Sequence, residues 1–511
     1  LDDLTPVIIG VGEASERIDT PDYAALSPVA LAAQASWAAL DNALSCTVLA
    51  PLVDTVAAVR QFEISIAGAV APFGRSDNLP RAVARRIGAD PVRAILEPVG
   101  GQGPQHLVNE MCARIATGEI RMALICGAEA ISTVRNLTSK GESRDWSETI
   151  GGEMEDRGLG DPLLTADLAR HGAATPISVY ALFENARRAR VGLGREAYRK
   201  AMAELFAPMT EVASRNPHSM SPEIRDAVDL ATITTSNRLT SDPYPRRLVA
   251  RDQANQGAAI AITSAGYARS LGILERKFVY LHGGADARER MPMDRQDLSR
   301  GPASVLATKR ALELAGIGAD GISLFDLYSC FPIAVFNILD GLGILFDDPR
   351  PKTIAGGLPF FGGAGNNYSM HAIANAVRAL RKQRGARALV GANGGFLSKY
   401  SVGVYSTDAR PWAGIDSRAL QAEVDAWPAM PVEPAPVGGR LETYTIDYSG
   451  PRPKGVVVGR SSENGARFVA MTNSEDDTIV QAMIANDPLG ATVEVALGER
   501  GRSIVKSLKA A

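Results

Sequence analysis

The chain has 511 residues, 46% apolar and 22% charged, with a formal net charge of −3. This composition suits roughly two to four compact units with large cores, excludes a disordered chain, and argues against a nucleic-acid or anionic-membrane partner for the whole protein. No apolar stretch is long enough to span a bilayer and no charged-then-apolar leader follows Leu1, so a soluble cytoplasmic protein is expected.

Val7 to Val11 reads as a buried first strand. Ser27-Pro28 then supplies a helix cap and a proline at the first helical position, leading into an Ala-rich run through Ala43. Next comes Gly100-Gly101-Gln102-Gly103, which opens a helix with Leu107, Met111 and Ile115 on one stripe and leads to an apolar strand, Met122 to Cys126. The same order returns later. Gly362-Gly363-Ala364-Gly365 opens a helix striped by Ile373, Val377 and Leu380, followed by the strand Ala388 to Val390. His106 and His371 follow the glycines at similar distances, and Gly118 with Arg121 and Gly385 with Arg387 precede the two strands. This is an internal duplication, and it sets two glycine-rich helix starts around a shared cleft suited to an acyl or phosphate ligand. Strands this apolar call for cover on both faces, which favours parallel strands with helices above and below.

Between the copies the texture changes. Asn136 to Asp161 is polar and Gly-rich, and Val179 to Phe206 is strongly helical. The latter carries Arg187, Arg188, Arg190, Arg195, Arg199 and Lys200, either a solvated face or a cradle for the phosphates of a nucleotide-like ligand. Sheet-like sequence resumes at Gln256 to Ile262, and the second half runs from about Leu271 to Asp408. Pro411, Pro428, Pro431, Pro434 and Pro436 then mark a linker around one short helix. Leu441 to Tyr448, Gly455 to Gly459, Ala466 to Thr472, Ala491 to Leu497 and Arg502 to Leu508 read as short strands split by turns, the pattern of a small antiparallel barrel or sandwich. From Arg440 onward nine Lys or Arg balance nine Asp or Glu, with few aromatics to stack bases, so a docking or cleft-covering role is expected over nucleic-acid binding.

Cys46, Cys112, Cys126 and Cys330 show neither metal-ligand spacing nor a disulfide framework. Cys112 and Cys126 read as small core residues. Cys330 follows the apolar run Ile322 to Phe325 within Asp326-Leu-Tyr-Ser-Cys-Phe-Pro332, and strand ends facing a cleft are where α/β folds keep reactive groups.

These residues together resemble the thiolase superfamily, in its SCP2-thiolase-related, thiolase-like branch with an added C-terminal domain. The likeness covers roughly Leu4 to Asp408 and rests on four features. They are the duplication, Asn255-Gln256-Gly257-Ala258-Ala259 before a strand, Tyr328-Ser329-Cys330-Phe331 in place of the His-Asp-Cys-Phe motif, and Gly356 to Asn366 in place of the Gly-His-Pro loop. The resemblance implies a duplicated α/β fold of two βαβαβαββ halves in five αβαβα layers, with a loop domain and an appended OB-like barrel. The corresponding boundaries are 1–265 for the first half, including a loop domain at about 135–250, then 266–408, a linker at 409–440 and a barrel at 441–511.

Carried over residue by residue, the family's nucleophilic cysteine falls at Gly101, its Gly-His-Pro histidine at Gly363 and its late acid/base cysteine at Gly391. A thiolase needs a thiolate at the first helix start, where backbone donors lower the thiol pKa, and glycine supplies none. Tyr328, Cys330 and His371 remain as candidate proton carriers, while Gly100, Gly103, Gly362, Asn366, Asn367, Tyr368, Arg187 and Arg188 are candidate ligand contacts. Asn366, Asn367 and Tyr368 are equally suited to orienting a thioester carbonyl and to completing turn hydrogen bonds.

Three functions fit. The first is an acyl-CoA-binding protein of lipid metabolism without standard acetyl-CoA C-acyltransferase activity, its glycines leaving room for ligand. The second is an altered enzyme doing retro-aldol or thioester chemistry with Tyr328 and Cys330, as the resemblance to thiolase-like aldolases implies. The third is a non-enzymatic scaffold for another protein of acyl-CoA metabolism. CoA or acyl-CoA is the expected ligand, with no metal or other cofactor and a possible homodimer.

Overall fold

The computed structural model describes residues 2–161 and 164–510. The first copy supplies β1 (Pro6–Ser15), β2 (Thr55–Val59), β3 (Arg93–Glu97) and β4 (Met122–Ala130). After a detour carrying β5 (Glu155–Asp156), β6 (Leu239–Ser241) and β7 (Tyr244–Pro245), it ends in β8 (Asn255–Ser264). The second copy supplies β9 (Val279–Arg288), β10 (Leu324–Leu327), β11 (Arg387–Gly394) and β12 (Lys399–Ser406). The hydrogen-bonded order is β10-β11-β12-β9-β1-β8-β4-β2-β3-β5. In each copy a parallel pair, β2 with β4 or β10 with β11, is followed by two antiparallel pairings, through β8 to β1 or through β12 to β9. The sheets are therefore mixed where the apolar strands favoured parallel pairing. Burial on both faces requires cover, not one strand direction.

That cover comes in layers. The Pro28–Ala43 helix packs on β1, β8 and β4, and the Pro302–Ala315 helix on β9 and β12. Between them the Gly103–Ala116 and Tyr368–Lys382 helices each touch strands of both copies, β4 and β12 for one, β11 and β8 for the other. The predicted stripes are the reason, since Leu107, Met111, Ile115, Ile373, Val377 and Leu380 are all buried. In the second copy a single bond from Leu327 N to Lys352 O stands where the first copy has β3.

The detour holds two helices, Pro176–Val191 and Arg195–Arg215, where a single run over 179–206 was expected. Gly192 at φ +69° ends the first, a conformation that L side chains resist. Further up, β5 pairs in parallel with β3 and covers that edge of the sheet. Arg157 fixes it there with bonds to Glu110 at 2.7 and 2.8 Å and to Glu97 at 2.9 Å. An unpaired edge strand is an open template for another chain, and this one is occupied from within.

The tail forms a closed five-strand barrel from β13 (Gly438–Asp447), β14 (Lys454–Ser461), β15 (Arg467–Met471), β16 (Thr492–Leu497) and β17 (Ser503–Lys509). The ring runs β13-β14-β15-β17-β16 and back to β13, all antiparallel except β15 with β17. A Thr478–Ala485 helix, not foreseen in the sequence, plugs one end with Val480 and Met483. The proline-marked stretch does not hang free, because Trp412, Ile415, Trp427 and Val432 pack on the main core.

The barrel is welded to the body. β6 adds to β13, Thr443 Oγ1 donates to Leu182 O at 2.6 Å, and Asn185 Nδ2 donates to the carbonyls of Asp242 and Tyr444 at 3.0 and 2.9 Å. Arg188, fully buried, reaches Asp487 at 2.9 Å and Tyr444 Oη at 3.1 Å. No helix among the described residues is long and apolar enough to cross a membrane. Arg188 is buried but Asp487 is 37% exposed, so Arg188→Met is expected to cost about 1–3 kcal/mol in urea unfolding, chiefly by leaving the buried Asn185 and Tyr444 acceptors without their donor. Asp487→Asn alone should cost under about 1 kcal/mol, since that carboxylate is partly solvated; an unchanged urea midpoint in Arg188→Met would show that the weld carries no stability.

Candidate functional site

The two glycine-rich starts meet through hydrogen bonds between side chains of one copy and main-chain groups of the other. Gly100 and Gly362 have φ of +149° and +124°, outside the range L side chains adopt. Asn366 Oδ1 accepts from Gly100 N at 3.2 Å, and its Nδ2 donates to Arg60 O at 2.9 Å and Ser65 Oγ at 3.0 Å. Asn367 Nδ2 donates to Gly127 O and Ser369 Oγ to Gly101 O, both at 2.8 Å. Tyr368 Oη accepts from Gly357 N at 3.2 Å and donates to Asp326 Oδ1 at 3.3 Å. Asn366, Asn367 and Ser369 thus stitch the copies together, while Tyr368 bonds within the second copy. Gly103 lies beside Glu97, whose Cγ would be 3.3 Å from an added Cβ.

The space expected to be vacant is filled. A Cβ on Gly101 would run into Tyr328 Oη, with Cζ at 2.6 Å and Asn393 O at 2.7 Å. A Cβ on Gly391 would run into Tyr400 Oη, with Cζ at 3.0 Å. Gly363 donates its N–H to Arg251 O at 2.6 Å, and that oxygen would sit 3.0 Å from its Cβ. The glycines do not leave a cavity at Gly101 and Gly391, because phenol rings occupy the volume.

Tyr328 is brought to Gly101, whereas the other candidates go elsewhere. Cys330 is buried near the Tyr180 hydroxyl, and burial pushes its thiol up to about 12. Burial also pushes the Tyr328 phenol well up, so neither group is a ready base near neutrality. His371 is fully buried, with Nδ1 2.6 Å from Glu13 Oε1 and its ring against Phe361. Burial alone would raise Glu13, but His371 and Arg378 outweigh it and hold that carboxyl at about 2.

Arg187 and Arg188 do not form a phosphate cradle. Arg187 is spent on Asp340 through two bonds of 2.9 Å, and Arg188 on the barrel. Long charged side chains on a helix suggest solvent or ligand, and only the partners contributed by distant segments, Asp340 and Asp487, reveal the pairing. Glu97, His106 and Glu110 lie close enough to suggest a metal site. However, Arg157 bonds both carboxylates. Burial would lower His106, but Asp286, Glu97 and Glu110 push it up to about 9, so a cation already sits among them.

One group escaped sequence reasoning. Glu129, the lone acid in the buried strand β4, accepts from Phe62 N at 2.7 Å and lies against Gly365, where its Cδ would be 2.7 Å from a Cβ. Burial pushes its carboxyl up to about 8. Around the same loops the oxygens Gln102 Oε1, Gln256 Oε1 and Asn367 Oδ1 are buried without a partner in the protein. A lone carboxylate type inside an all-apolar strand was the signal available for Glu129.

Residues 419–500 match the family model described as the thiolase-like protein type 1 additional C-terminal domain. No curated protein matches the chain. The crystal structure of a monomeric SCP2-thiolase like protein type 1 from Mycobacterium smegmatis is 44% identical over 99% of this chain and 99% of its own, with a TM-score of 0.85. The Ltp2-ChsH2(DUF35) aldolase, at 18% identity, 80% and 99% coverage and TM-score 0.58, shares the fold. So does the dimeric peroxisomal thiolase of Saccharomyces cerevisiae, at 13% identity, 80% and 98% coverage and TM-score 0.57.

Two outcomes are expected from this geometry. Gly101→Cys should destabilise the protein by about 1–3 kcal/mol through overpacking, and Tyr328→Ala in the same chain should restore part of that, whereas additive urea midpoints would refute the steric exchange. Glu129, with a folded pKa of about 8 against an ordinary 4.5, keeps its proton in the fold after the unfolded chain has lost it. Its contribution to stability therefore falls as pH rises from about 4.5 to about 8, and Glu129→Gln should reduce the wild-type loss across that window by at least about 1 kcal/mol.

Proposed function

The chain belongs to the SCP2-thiolase-like protein type 1 family, and from that premise we propose that it binds CoA or an acyl-CoA without forming an acyl-enzyme. The observation that carries the reading is the Tyr328 hydroxyl against Gly101, where the family's thiolate would stand. Nor is another thiol ready to substitute. All four cysteines are buried and unpaired, with Cys46 pushed up to about 11, Cys126 and Cys330 to about 12, and Cys112 upward as well, chiefly by burial. Nucleophilic attack on a thioester requires thiolate, so covalent thiolysis is disfavoured at neutral pH. What persists is recognition chemistry. Beside the two helix starts, the unpaired oxygens of Gln102, Gln256 and Asn367 are acceptors of the kind that the amide N–H groups of a pantetheine arm would satisfy. Four free thiols also fit a reducing, cytoplasmic setting.

A second reading, non-covalent carbon–carbon or thioester chemistry, is favoured by Glu129, a carboxyl that titrates near neutrality beside the Gly362–Gly365 loop. Tyr328 and Cys330 are poorer proton carriers for it, because burial holds both in their neutral forms. Scaffolding of another acyl-CoA-metabolism protein is the third possibility, to which no particular contact lends weight.

Acetyl-CoA or a longer acyl-CoA should bind saturably in titration calorimetry, while acetoacetyl-CoA with free CoA yields no thiolysis and no acetyl adduct by intact-mass spectrometry. Turnover through an acylated enzyme would overturn the proposal. Absence of binding by every CoA species would leave the scaffold reading in its place.

A further inference from the structure

Cations gather around one cleft, and not all of them have an acidic partner. Between Asp348 and Asp408 the sequence holds no Asp or Glu, and in that interval the Tyr368–Lys382 helix carries Arg378, Arg381 and Lys382. The back half of this helix faces the last turn of the Arg195–Arg215 helix across a cleft of about 600 Å³. Arg215, Arg378 and Lys382 line it, and no carboxylate does.

The charges are not all spent. Arg378 is paired with Glu13 beneath the cleft, and Glu13 also holds His371. Arg215 and Lys382 make no ion pair among the described residues, and both are exposed. His218 also lines the cleft, with Nδ1 2.9 Å from Ser15 Oγ, and burial holds its pKa below the ordinary value, so it adds a hydrogen-bonding nitrogen and no fixed charge. Cations at the last turn of a helix offset its dipole, which accounts for part of Arg215 and Lys382. It does not account for two such helix ends converging on a concave wall from which acids are missing. Val212, Ile354 and Ala379 give that wall an apolar part, which excludes water and strengthens attraction for an anion.

We propose that this cleft binds a phosphate or diphosphate group through Arg215 and Lys382, with Arg378 closing one side. An arginine offers paired donors to phosphate oxygens, and a lysine supplies a movable point charge. The site is lined by none of the residues at the two glycine-rich helix starts, so it stands apart from the acyl-CoA proposal and neither depends on the other.

Calorimetric titration of the full chain with inorganic pyrophosphate, and separately with ADP, at low ionic strength tests this. Saturable binding is expected, with affinity falling by about tenfold or more in Arg215→Ser/Lys382→Ser, two exposed positions whose loss leaves the melting temperature near wild type. A control removing two exposed cations elsewhere, Lys140→Ser/Arg144→Ser, should bind as wild type does. Tighter binding of ADP identifies an ester whose body lies on the Val212 wall, and equal binding identifies free phosphate; both support the site. Absent saturation, equal weakening in the control, or undiminished affinity in the double variant overturns it.

Discussion

The two copies of the repeat touch through glycine, and the closeness of that contact governs the rest of the molecule. Gly100 and Gly101 open one central helix and Gly362 to Gly365 precede the other, with Asn366, Asn367 and Ser369 bonding across to Gly100, Gly127 and Gly101. Side chains on these glycines would push the copies apart. Because the clasp joins side chains of one copy to backbone groups of the other, it fixes both helices relative to both halves of the sheet. It also points two positive helix ends at one small volume. In a thiolase that volume would favour an anionic sulfur; here the groups placed against it are neutral, the Tyr328 phenol and a Glu129 carboxyl that burial keeps protonated to about pH 8.

Arginine charge serves to join distant parts of the chain. Arg187 holds Asp340, Arg188 holds Asp487 in the barrel, and Arg157 holds the segment that covers the β3 edge. Each guanidinium is at least partly buried and has more than one acceptor, the condition under which an arginine pair fixes geometry as well as charge. The barrel consequently continues a sheet begun by β6 and cannot swing as a tethered module would. A covered edge and a welded barrel both remove surfaces through which such a fold could recruit another chain.

The legible part of the fold was the part written in short-range pattern. Period-three-and-four stripes from Leu107 and Ile373 marked the central helices, and alternating turns and apolar runs after Leu441 placed all five barrel strands within a few residues. What lay beyond reach depended on partners far along the chain. Gly192 and Gly194 gave a local sign of the helix break, outweighed by the strong helical run around them. Nothing near Arg188 announces Asp487, about three hundred residues away, and nothing near Gly101 announces Tyr328. Glu129 shows the same limit, since its tuning comes from burial that only the assembled sheet supplies.

Each of two glycines at the junction has a steric counterpart. Removing a side chain from a packed junction leaves a void that costs stability unless neighbouring atoms fill it. At Gly101 the filler is Tyr328 and at Gly391 it is Tyr400, so each glycine and its tyrosine form a volume-conserving pair. Placing a cysteine alone at either position creates a clash, and shrinking the tyrosine alone creates a cavity. Two simultaneous changes would be needed to seat a thiol there. A packed arrangement of this kind holds the junction in one form, because either partner of a pair changed by itself meets a steric or a cavity penalty.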